Sequence, residues 1–227
     1  MSRVEHLAEG VTLYLGDCGE IIPTLDLVDV TVISDPPYAN GALNGGKIVR
    51  AKRAYDPGAT GHVWPDLVGN DAPFDPALLL PFKNLVLWGA NNYASRLPDS
   101  SCWFAWDRKM DRAAKSHIGD GELAFVRGLP FKTIRMFRHM WAGFQRDSEV
   151  GQKHVHPTQK PVALMEWCID FFPSSTTIMD PYMGAGATGV AAIRSRKRFI
   201  GIEIVEQYFD VACRRIDDSM KQEAFKL

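Results

Sequence analysis

The chain has 227 residues, of which 46% are hydrophobic and 23% charged, and its formal net charge at pH 7 is −1. This length suits one well-cored domain and is too short for two generous ones, and the composition is typical of a soluble globular protein. The sequence has no apolar run of about 18 residues, which excludes a membrane-spanning helix, and its first residues lack the apolar core of a signal peptide. Four scattered cysteines without C-x-x-C spacing predict reduced thiols in a cytoplasmic protein, namely Cys18, Cys102, Cys168 and Cys213.

The positive charge is concentrated in two segments. Residues 41–60 carry four basic side chains, Lys47, Arg50, Lys52 and Arg53, against the single acid Asp56. Residues 107–146 carry nine basic residues against four acidic ones, and their first half includes Arg108, Lys109 and Arg112. These segments form a phosphate-binding face if they fold onto one side of the molecule, whereas the alternative is that they are solvated loops. Charge alone does not separate the two.

The predicted elements alternate between strands and helices. Short apolar runs that end in polar or glycine residues predict buried strands at residues 11–15, 28–33, 85–88, 102–106, 123–126, 177–179 and 198–202. Apolar residues at helical spacing predict helices at residues 161–172, 188–194 and 205–216. The alternation predicts a doubly wound α/β domain with a mostly parallel sheet, in which ligands bind beyond the carboxyl ends of the strands. Three of these strand ends carry an acid: Asp35, Asp180 and Glu203.

Two stretches do not fit this alternation. Residues 39–84 are rich in glycine, asparagine and proline, and residues 107–120 lack periodicity. Long irregular loops in a compact domain are usually functional or disordered. Because both stretches overlap the basic segments, they favour contact with a nucleic acid.

The sharpest motif is Asp35-Pro36-Pro37-Tyr38, directly after a predicted strand. Two prolines fix the backbone and remove two N–H donors, which leaves rigid carbonyl acceptors beside a carboxylate and an aromatic ring. An exocyclic amine of adenine or cytosine is a poor nucleophile because its lone pair is delocalised into the ring. Acceptors at the Asp35 side chain and the Pro36 carbonyl would hold its two N–H groups in a reactive geometry. The alternative is a proline-rich turn that only ends a strand.

The second motif runs from Asp180 through Tyr182, Gly184 and Gly186 to Gly189, between a predicted strand and a predicted helix. Glycines there let the backbone approach a ligand, and the following strand ends in Glu203, at a distance that suits a ribose diol. The G-x-x-x-x-G-K-[ST] phosphate loop is absent, so the pattern favours an adenosine-containing cofactor over NTP hydrolysis.

The third motif is His154-Val155-His156-Pro157-Thr158-Gln159-Lys160-Pro161, which leads into a predicted helix. Thr158 is a candidate cap and Lys160 a candidate partner for a carboxylate. The H-x-H pair raises the alternative of zinc, but without a cysteine or a third histidine nearby we predict no metal.

These three motifs, in this order, resemble the β-class amino-methyltransferases of DNA, above all the compact phage-type and solitary N6-adenine enzymes. The match is dense over residues 12–38 and 154–216, looser over 85–127 and absent over most of 39–84. Two positions depart from the family: Tyr182 stands where Phe is usual, and Ala185-Gly186-Ala187 stands where Ser-Gly-Thr is common. These departures leave the backbone pattern intact and put the family's side-chain hydroxyl contacts there in doubt.

The resemblance implies a Rossmann-like, seven-stranded methyltransferase sheet with a circularly permuted motif order, in one catalytic domain over residues 1–227. It implies S-adenosylmethionine as the cofactor and Asp35, Pro36, Pro37 and Tyr38 as the catalytic turn, with Tyr38 stacked on a flipped-out base. It places Asp17 and Cys18 at the cofactor's adenine and Glu203 on its ribose. It places five residues at the methionine part, namely Gly184, Gly186, His156, Thr158 and Lys160. Asp180 and Tyr182 are two further predicted cofactor-binding residues.

The function expected from the resemblance is site-specific methylation of adenine N6 in double-stranded DNA. Asp35 favours adenine, because N4-cytosine members often carry Ser there, and N4-cytosine remains the alternative. An RNA or small-molecule methyltransferase and a non-catalytic nucleic-acid-binding relative are further alternatives. We expect DNA recognition from an insertion at residues 39–84 and from the basic segment 107–150, through Lys47, Arg50, Lys52, Arg53, Arg108, Lys109 and Arg112. A homodimer is expected from the family, and the sequence implies no restriction-enzyme partner.

Overall fold

A computed structural model describes residues 3–38, 43–44, 47–48, 68–69, 73–109, 119–142 and 145–225. No helix within these ranges has the length and apolar character needed to cross a bilayer. The elements are, in chain order, β1 (Arg3–Ala8), β2 (Val11–Leu15), α1 (Cys18–Ile21), β3 (Val30–Ser34), β4 (Leu43–Asn44), β5 (Lys47–Ile48), β6 (Asn84–Leu87), β7 (Trp103–Asp107), β8 (Gly121–Arg127), β9 (Ile134–Arg138), β10 (Trp141–Ala142), β11 (Gln145–Arg146), α2 (Val162–Asp170), β12 (Thr177–Asp180), α3 (Ala187–Arg194), β13 (Arg198–Glu203) and α4 (Glu206–Ala224).

One mixed sheet organises the described residues, in the order β1-β2-β13-β12-β3-β6-β8-β7-β9. The five strands from β2 to β6 in this order are mutually parallel. Strand β8 runs antiparallel to both β6 and β7, and β9 returns parallel to β7. The predicted α/β class with a mostly parallel sheet is confirmed.

The sheet has nine strands where seven were expected, and the two unpredicted ones, β1 and β9, form its edges. Edge strands are partly solvated and lack the continuous apolar run by which a central strand is recognised. In β9, Ile134 and Met136 are 67% and 57% exposed. The expected count was therefore too low because the edges carry mixed exposure.

Side chains of the central strands point alternately to the two faces of the sheet and pack into two hydrophobic cores, one on each face. Ile33 of β3 and Ile178 of β12 pack on the face covered by α2, α3 and α4. Their neighbours Val32 and Met179 pack on the opposite face, around Phe74. Strands β3 and β12 are buried along their whole length, which explains why both stood out as apolar runs.

Connections leave the centre of the sheet in opposite directions. From β12 the chain runs through α3 to β13 on one side, whereas from β3 it continues to β6 on the other. Adjacent parallel strands from which the chain departs in opposite directions leave a crevice at their carboxyl ends, where α/β proteins bind ligands. The turns that follow β3 and β12 meet at this crevice.

Candidate active site

A cavity of about 350 Å³ lies at the carboxyl edge of the sheet. This volume is in the range of small-molecule sites. Its lining brings together most of the predicted catalytic and cofactor-binding residues, namely Asp17, Cys18, Asp35, Pro36, Pro37, Tyr38, His156, Thr158, Tyr182, Gly184 and Glu203. Lys160, Asp180 and Gly186 lie outside that lining.

The proline turn after β3 is held from the side of β6. The Trp88 backbone N–H donates to the Ser34 carbonyl at 2.9 Å, which extends the β3–β6 pairing up to the turn. Next to Trp88, Gly89 has a left-handed φ of +71°, and a Cβ built on it would overlap the ring of Tyr38. Tyr38 therefore occupies its place because residue 89 has no side chain.

Asp35 is a carboxylate with one paired and one unpaired oxygen. Its Oδ2 accepts a hydrogen bond from the Nζ of Lys160 at 2.6 Å, whereas its Oδ1 is buried and has no hydrogen-bond donor among the described residues. Burial raises the pKa of Asp35 to about 6, although Lys160 opposes this rise. A buried acceptor without a donor is unusual, and because Asp35 lines the cavity this oxygen is available to a ligand there.

Asp180 has the opposite arrangement, with its acceptors occupied by the protein. Its carboxylate accepts from the hydroxyls of Ser34 and Thr188, each at 2.6 Å, and from the backbone N–H of Tyr182 at 3.1 Å. Only 3% of the residue is exposed. Asp180, predicted to bind the cofactor, thus joins β3, β12 and α3 instead of facing the cavity.

The two predicted glycines of the second turn differ in what they approach. Gly184 has φ +49° and lines the cavity, where an added Cβ would lie 3.3 Å from Nε2 of His156. Gly186, at φ +77°, faces α4, and its Cβ would lie 3.0 Å from that of Ala212. The close approach to a ligand is therefore available at Gly184, whereas Gly186 allows α4 to pack closely.

Two further acids border the cavity. Glu203 accepts backbone N–H groups from Gly184 at 2.9 Å and from Val205 at 2.8 Å, and burial raises its pKa while these amides oppose the rise. Each oxygen retains a second lone pair that a hydroxyl of a diol can use. Asp17 caps α1 by accepting from the Gly19 N–H at 2.7 Å. Both acids are oriented by backbone amides, so their acceptors are fixed in place.

His156 is a neutral wall of the cavity. Its ring meets Tyr208 of α4 edge to face at 4.2 Å, and its Nδ1 accepts the backbone N–H of Thr158 at 3.3 Å, which requires an unprotonated Nδ1. Burial, together with the nearby charges of Lys160 and Arg215, lowers the pKa of His156 to about 4. At neutral pH the imidazole therefore adds no positive charge beside a cationic ligand.

Two further aromatic residues, Phe74 and Tyr208, line the cavity, and the sequence did not identify them. Phe74 packs edge to face on Tyr93 at 5.0 Å and on Tyr182 at 5.7 Å, and it lines the cavity together with Tyr208. Phe74 lies in the aperiodic stretch 39–84, which we had assigned to DNA recognition. The end of that stretch contributes to the cavity, and no local pattern indicated this.

A partly buried ion pair supports the glycine turn on the side away from the cavity. Arg215 of α4 donates to the carbonyl of Ala185 at 2.6 Å and pairs with Glu149 at 3.2 Å. Glu149 also accepts the N–H of Val162, the first residue of α2, at 3.1 Å. Neither residue was predicted, because a pair separated by 66 positions leaves no local pattern.

The predicted DNA contacts divide into inward-facing residues and residues outside the description. Lys109 is 5% exposed and pairs with Asp120 at 2.6 Å. Arg108 lies 3.4 Å from Glu122 and donates to the Trp141 carbonyl at 3.2 Å. Both cations thus have partners within the protein, although the partner of Lys109 is itself 89% exposed, and their phosphate contacts stay a prediction. Lys47 is described only as part of the backbone of β5, and Arg50, Lys52, Arg53 and Arg112 lie outside the described residues.

Comparison with protein families gives a match to the model described as DNA methylase, over residues 84–214. Among curated relatives, the type II methyltransferase M2.LlaDCHI of Lactococcus lactis subsp. cremoris is 29% identical over 59% of this chain and 50% of its own length. The chain thus spans about half the length of that relative.

Two solved structures share the architecture. The PvuII DNA methyltransferase (cytosine-N4-specific) aligns with a TM-score of 0.58 at 14% identity, covering 93% of this chain and 90% of its own. The M1.HpyAVI-SAM complex aligns with a TM-score of 0.50 at 21% identity, covering 89% of this chain and 98% of its own. At such identities these likenesses establish the fold alone.

Proposed function

Because the chain belongs to the DNA methylase family, we propose that it transfers a methyl group from S-adenosylmethionine to the N6 amine of adenine in DNA. One observation carries this proposal: the proline turn with Asp35 and Tyr38 and the glycine turn with Gly184 line the same cavity. An amine acceptor and a cofactor cradle must share one space if a methyl group is to pass directly between them.

The residues present fit the cofactor. Glu203 and Asp17 offer oriented carboxylates for a ribose and an adenine amine, and Gly184 leaves the backbone open next to the neutral imidazole of His156. S-adenosylmethionine supplies an electrophilic methyl group on a sulfonium. A neutral His156 suits that charge, because a protonated imidazole would repel it.

The proline turn acts on the amine. Asp35 and the Pro36 carbonyl accept its two N–H groups and orient the nitrogen for in-line attack, and Tyr38 stacks on the base. The unpaired Oδ1 of Asp35 supports this role, since a bound amine would supply its missing donor. No covalent enzyme intermediate is required.

An adenine amine in duplex DNA is hidden in a base pair, so the target base must leave the stack. Methyltransferases are among the general examples of base flipping, which costs a few kcal/mol. Stacking on Tyr38 offsets part of this cost, and phosphate contacts offset the rest. We assign those contacts to Lys47, Arg50, Lys52, Arg53 and Arg112.

The modified base distinguishes the main alternative. Asp35 favours adenine, as the resemblance implies, and N4-cytosine is the other outcome. We would methylate DNA with purified protein, digest it to nucleosides and identify the methylated nucleoside by mass. Competition between DNA and RNA in the same assay tests the polymer, and equal or preferred use of RNA contradicts the proposal.

The catalytic assignment is tested with Asp35→Ala. We expect methyl incorporation from labelled cofactor to fall by at least about 10²-fold, because an oriented acceptor is lost at the reacting amine. Cofactor binding, measured by calorimetry, should persist. Asp99→Ala, at an exposed aspartate, is the matched control with unchanged turnover. Turnover retained in Asp35→Ala would remove the carboxylate from the mechanism.

The setting of the reaction is also a proposal. We propose double-stranded DNA at the nucleoid as the partner, in a reducing cytoplasm that suits four free cysteines. A homodimer is proposed from the family resemblance, and light scattering of the purified chain tests it.

A further inference from the structure

Lys160 lies between two acids beside the cavity. Its Nζ is 2.6 Å from Oδ2 of Asp35 and 3.0 Å from Oε2 of Glu122. The Lys160 side chain is 7% exposed, and those of Asp35 and Glu122 are 15% and 14% exposed. A charge with so little solvent is retained only where partners compensate its lost hydration.

The sheet brings these three residues together from distant parts of the chain. Asp35 follows β3 at its carboxyl end, and Glu122 is the second residue of the antiparallel strand β8. Since β8 opposes β6 and β6 parallels β3, the start of β8 lies at the same edge as the end of β3. Lys160 enters from the loop before α2.

Glu122 has a second cation on its outer side. The guanidinium of Arg108 lies 3.4 Å from Oε1 of Glu122 and rests over the ring of Trp106 at 5.3 Å. The result is a row of alternating charges, Asp35, Lys160, Glu122 and Arg108, that leads away from the cavity. Lys160 and Arg108 thus both belong to this row. The cofactor contact of Lys160 and the DNA contact of Arg108 stay predictions.

We propose that Lys160 is a positioning residue that keeps the carboxylate of Asp35 charged and oriented toward the acceptor amine. Glu122, which also pairs with Lys160, limits how strongly Lys160 attracts that carboxylate. This inference rests on the proposed function and adds to it. Without Lys160, burial would favour a neutral Asp35 whose acid proton points at the amine. Without Glu122, Lys160 would bind Asp35 alone and attract the carboxylate more strongly.

The charges around Asp35 predict opposite responses to pH in two variants. Burial, Glu122 and Asp180 raise the pKa of Asp35, and Lys160 lowers it, while Tyr38 beside it stays neutral because burial raises its own pKa. Removing Lys160 should therefore raise the pKa of Asp35, and removing the charge of Glu122 should lower it. An adjacent opposite charge shifts a carboxyl pKa by about 1–3 pH units.

The experiment compares Lys160→Met and Glu122→Gln with the wild-type chain. The acid limb of the profile of kcat against pH should move up by about one pH unit or more in Lys160→Met and move down in Glu122→Gln. Cofactor affinity should stay within about twofold in both, because neither residue lines the cavity. Glu122→Gln keeps the shape of the side chain and one acceptor oxygen, so it also serves if Lys160→Met does not fold.

A second readout needs no turnover. In protein labelled with ¹³C-aspartate, the carboxyl titration of Asp35 is identified by its absence in Asp35→Asn, and it should move in the same two directions. Lys109→Met is the matched control, since Lys109 is an equally buried lysine paired with a different acid, Asp120. It should leave the titration of Asp35 unchanged.

The outcomes separate this inference from the proposed function. A wild-type chain that binds no cofactor and methylates no DNA overturns the proposed function and the inference with it. A wild-type chain that methylates DNA while both variants lose activity equally at every pH, with the Asp35 titration unmoved, retains the function and overturns the inference. Opposite displacement of the titration in the two variants supports it.

Discussion

The turns after β3 and β12 begin with the same pair of residues, Asp-Pro, yet their carboxylates have different surroundings. Asp180 receives three hydrogen bonds from neutral donors and is sealed inside the domain. Asp35, on the neighbouring strand, is paired through one oxygen to a lysine, and its other oxygen has no donor among the described residues. A carboxylate whose oxygens all accept hydrogen bonds from the protein, such as Asp180, therefore stabilises the fold. A carboxylate with an oxygen left over, such as Asp35, is available to a ligand.

The largest expected effect is a loss of stability when Asp180 is replaced. In Asp180→Ala, the hydroxyls of Ser34 and Thr188 and the N–H of Tyr182 lose their acceptor in the interior. We expect the free energy of unfolding, from urea denaturation, to fall by on the order of 3 kcal/mol. Asp35→Ala should lose much less stability, because Lys160 keeps Glu122 as a partner. Equal losses in the two variants would show that the two acids do not differ in kind.

The next effect is on the methylation rate and concerns the proline turn that carries Asp35 and Tyr38. Gly89→Ala places a methyl group where Tyr38 lies, so the ring must move. We expect the methylation rate at saturating cofactor to fall by about 10²-fold, the scale of a misplacement of about 1 Å at a reacting centre.

Gly151→Ala is the control for this change, because Gly151 has a similar φ of +79° and open space around it. It carries the same backbone strain without the contact, so its methylation rate should match that of the wild-type chain. Similar rates in the two alanine variants would indicate that Tyr38 does not depend on Gly89.

The smallest expected effect concerns the glycine turn. Arg215→Met removes the donor to the Ala185 carbonyl at the back of that turn. We expect cofactor affinity to weaken about tenfold, the scale of one charged hydrogen bond, while kcat changes little. Calorimetry measures the affinity. Arg194→Met, which breaks an exposed pair with Glu166, should leave the affinity unchanged.

What the sequence predicted depends on whether a feature is local. The apolar runs of β3 and β12 and the acids at their ends are contiguous, and so they were recognisable before the structure. The edge strand β9 was missed because its apolar residues are interrupted by Arg135, and Ile134 and Met136 are exposed. A strand with a neighbour on one side only is partly exposed, so its sequence lacks the continuous apolar run that identifies a central strand.

No local sequence pattern could identify which charged residues pair with one another. Lys160 was recognised as a cation near the site, but its partner Asp35 lies 125 positions away, and only the sheet order joins them. For the same reason Phe74 could not be assigned to the cavity and Lys109 could not be known to face inward. Sequence motifs identify residues with suitable functional groups, whereas the topology of the sheet determines which of these residues are in contact.

The pairing of β3 with β12 bears on how the protein is made. The hydrogen bond from Ser34 to Asp180 spans 146 positions, and Glu203 is supplied later still. A nascent chain therefore carries its proline turn long before the strands that complete the cavity have been synthesised. We expect the proposed methylation activity to appear only after β12 and β13 have been synthesised, and products truncated before these strands to lack it.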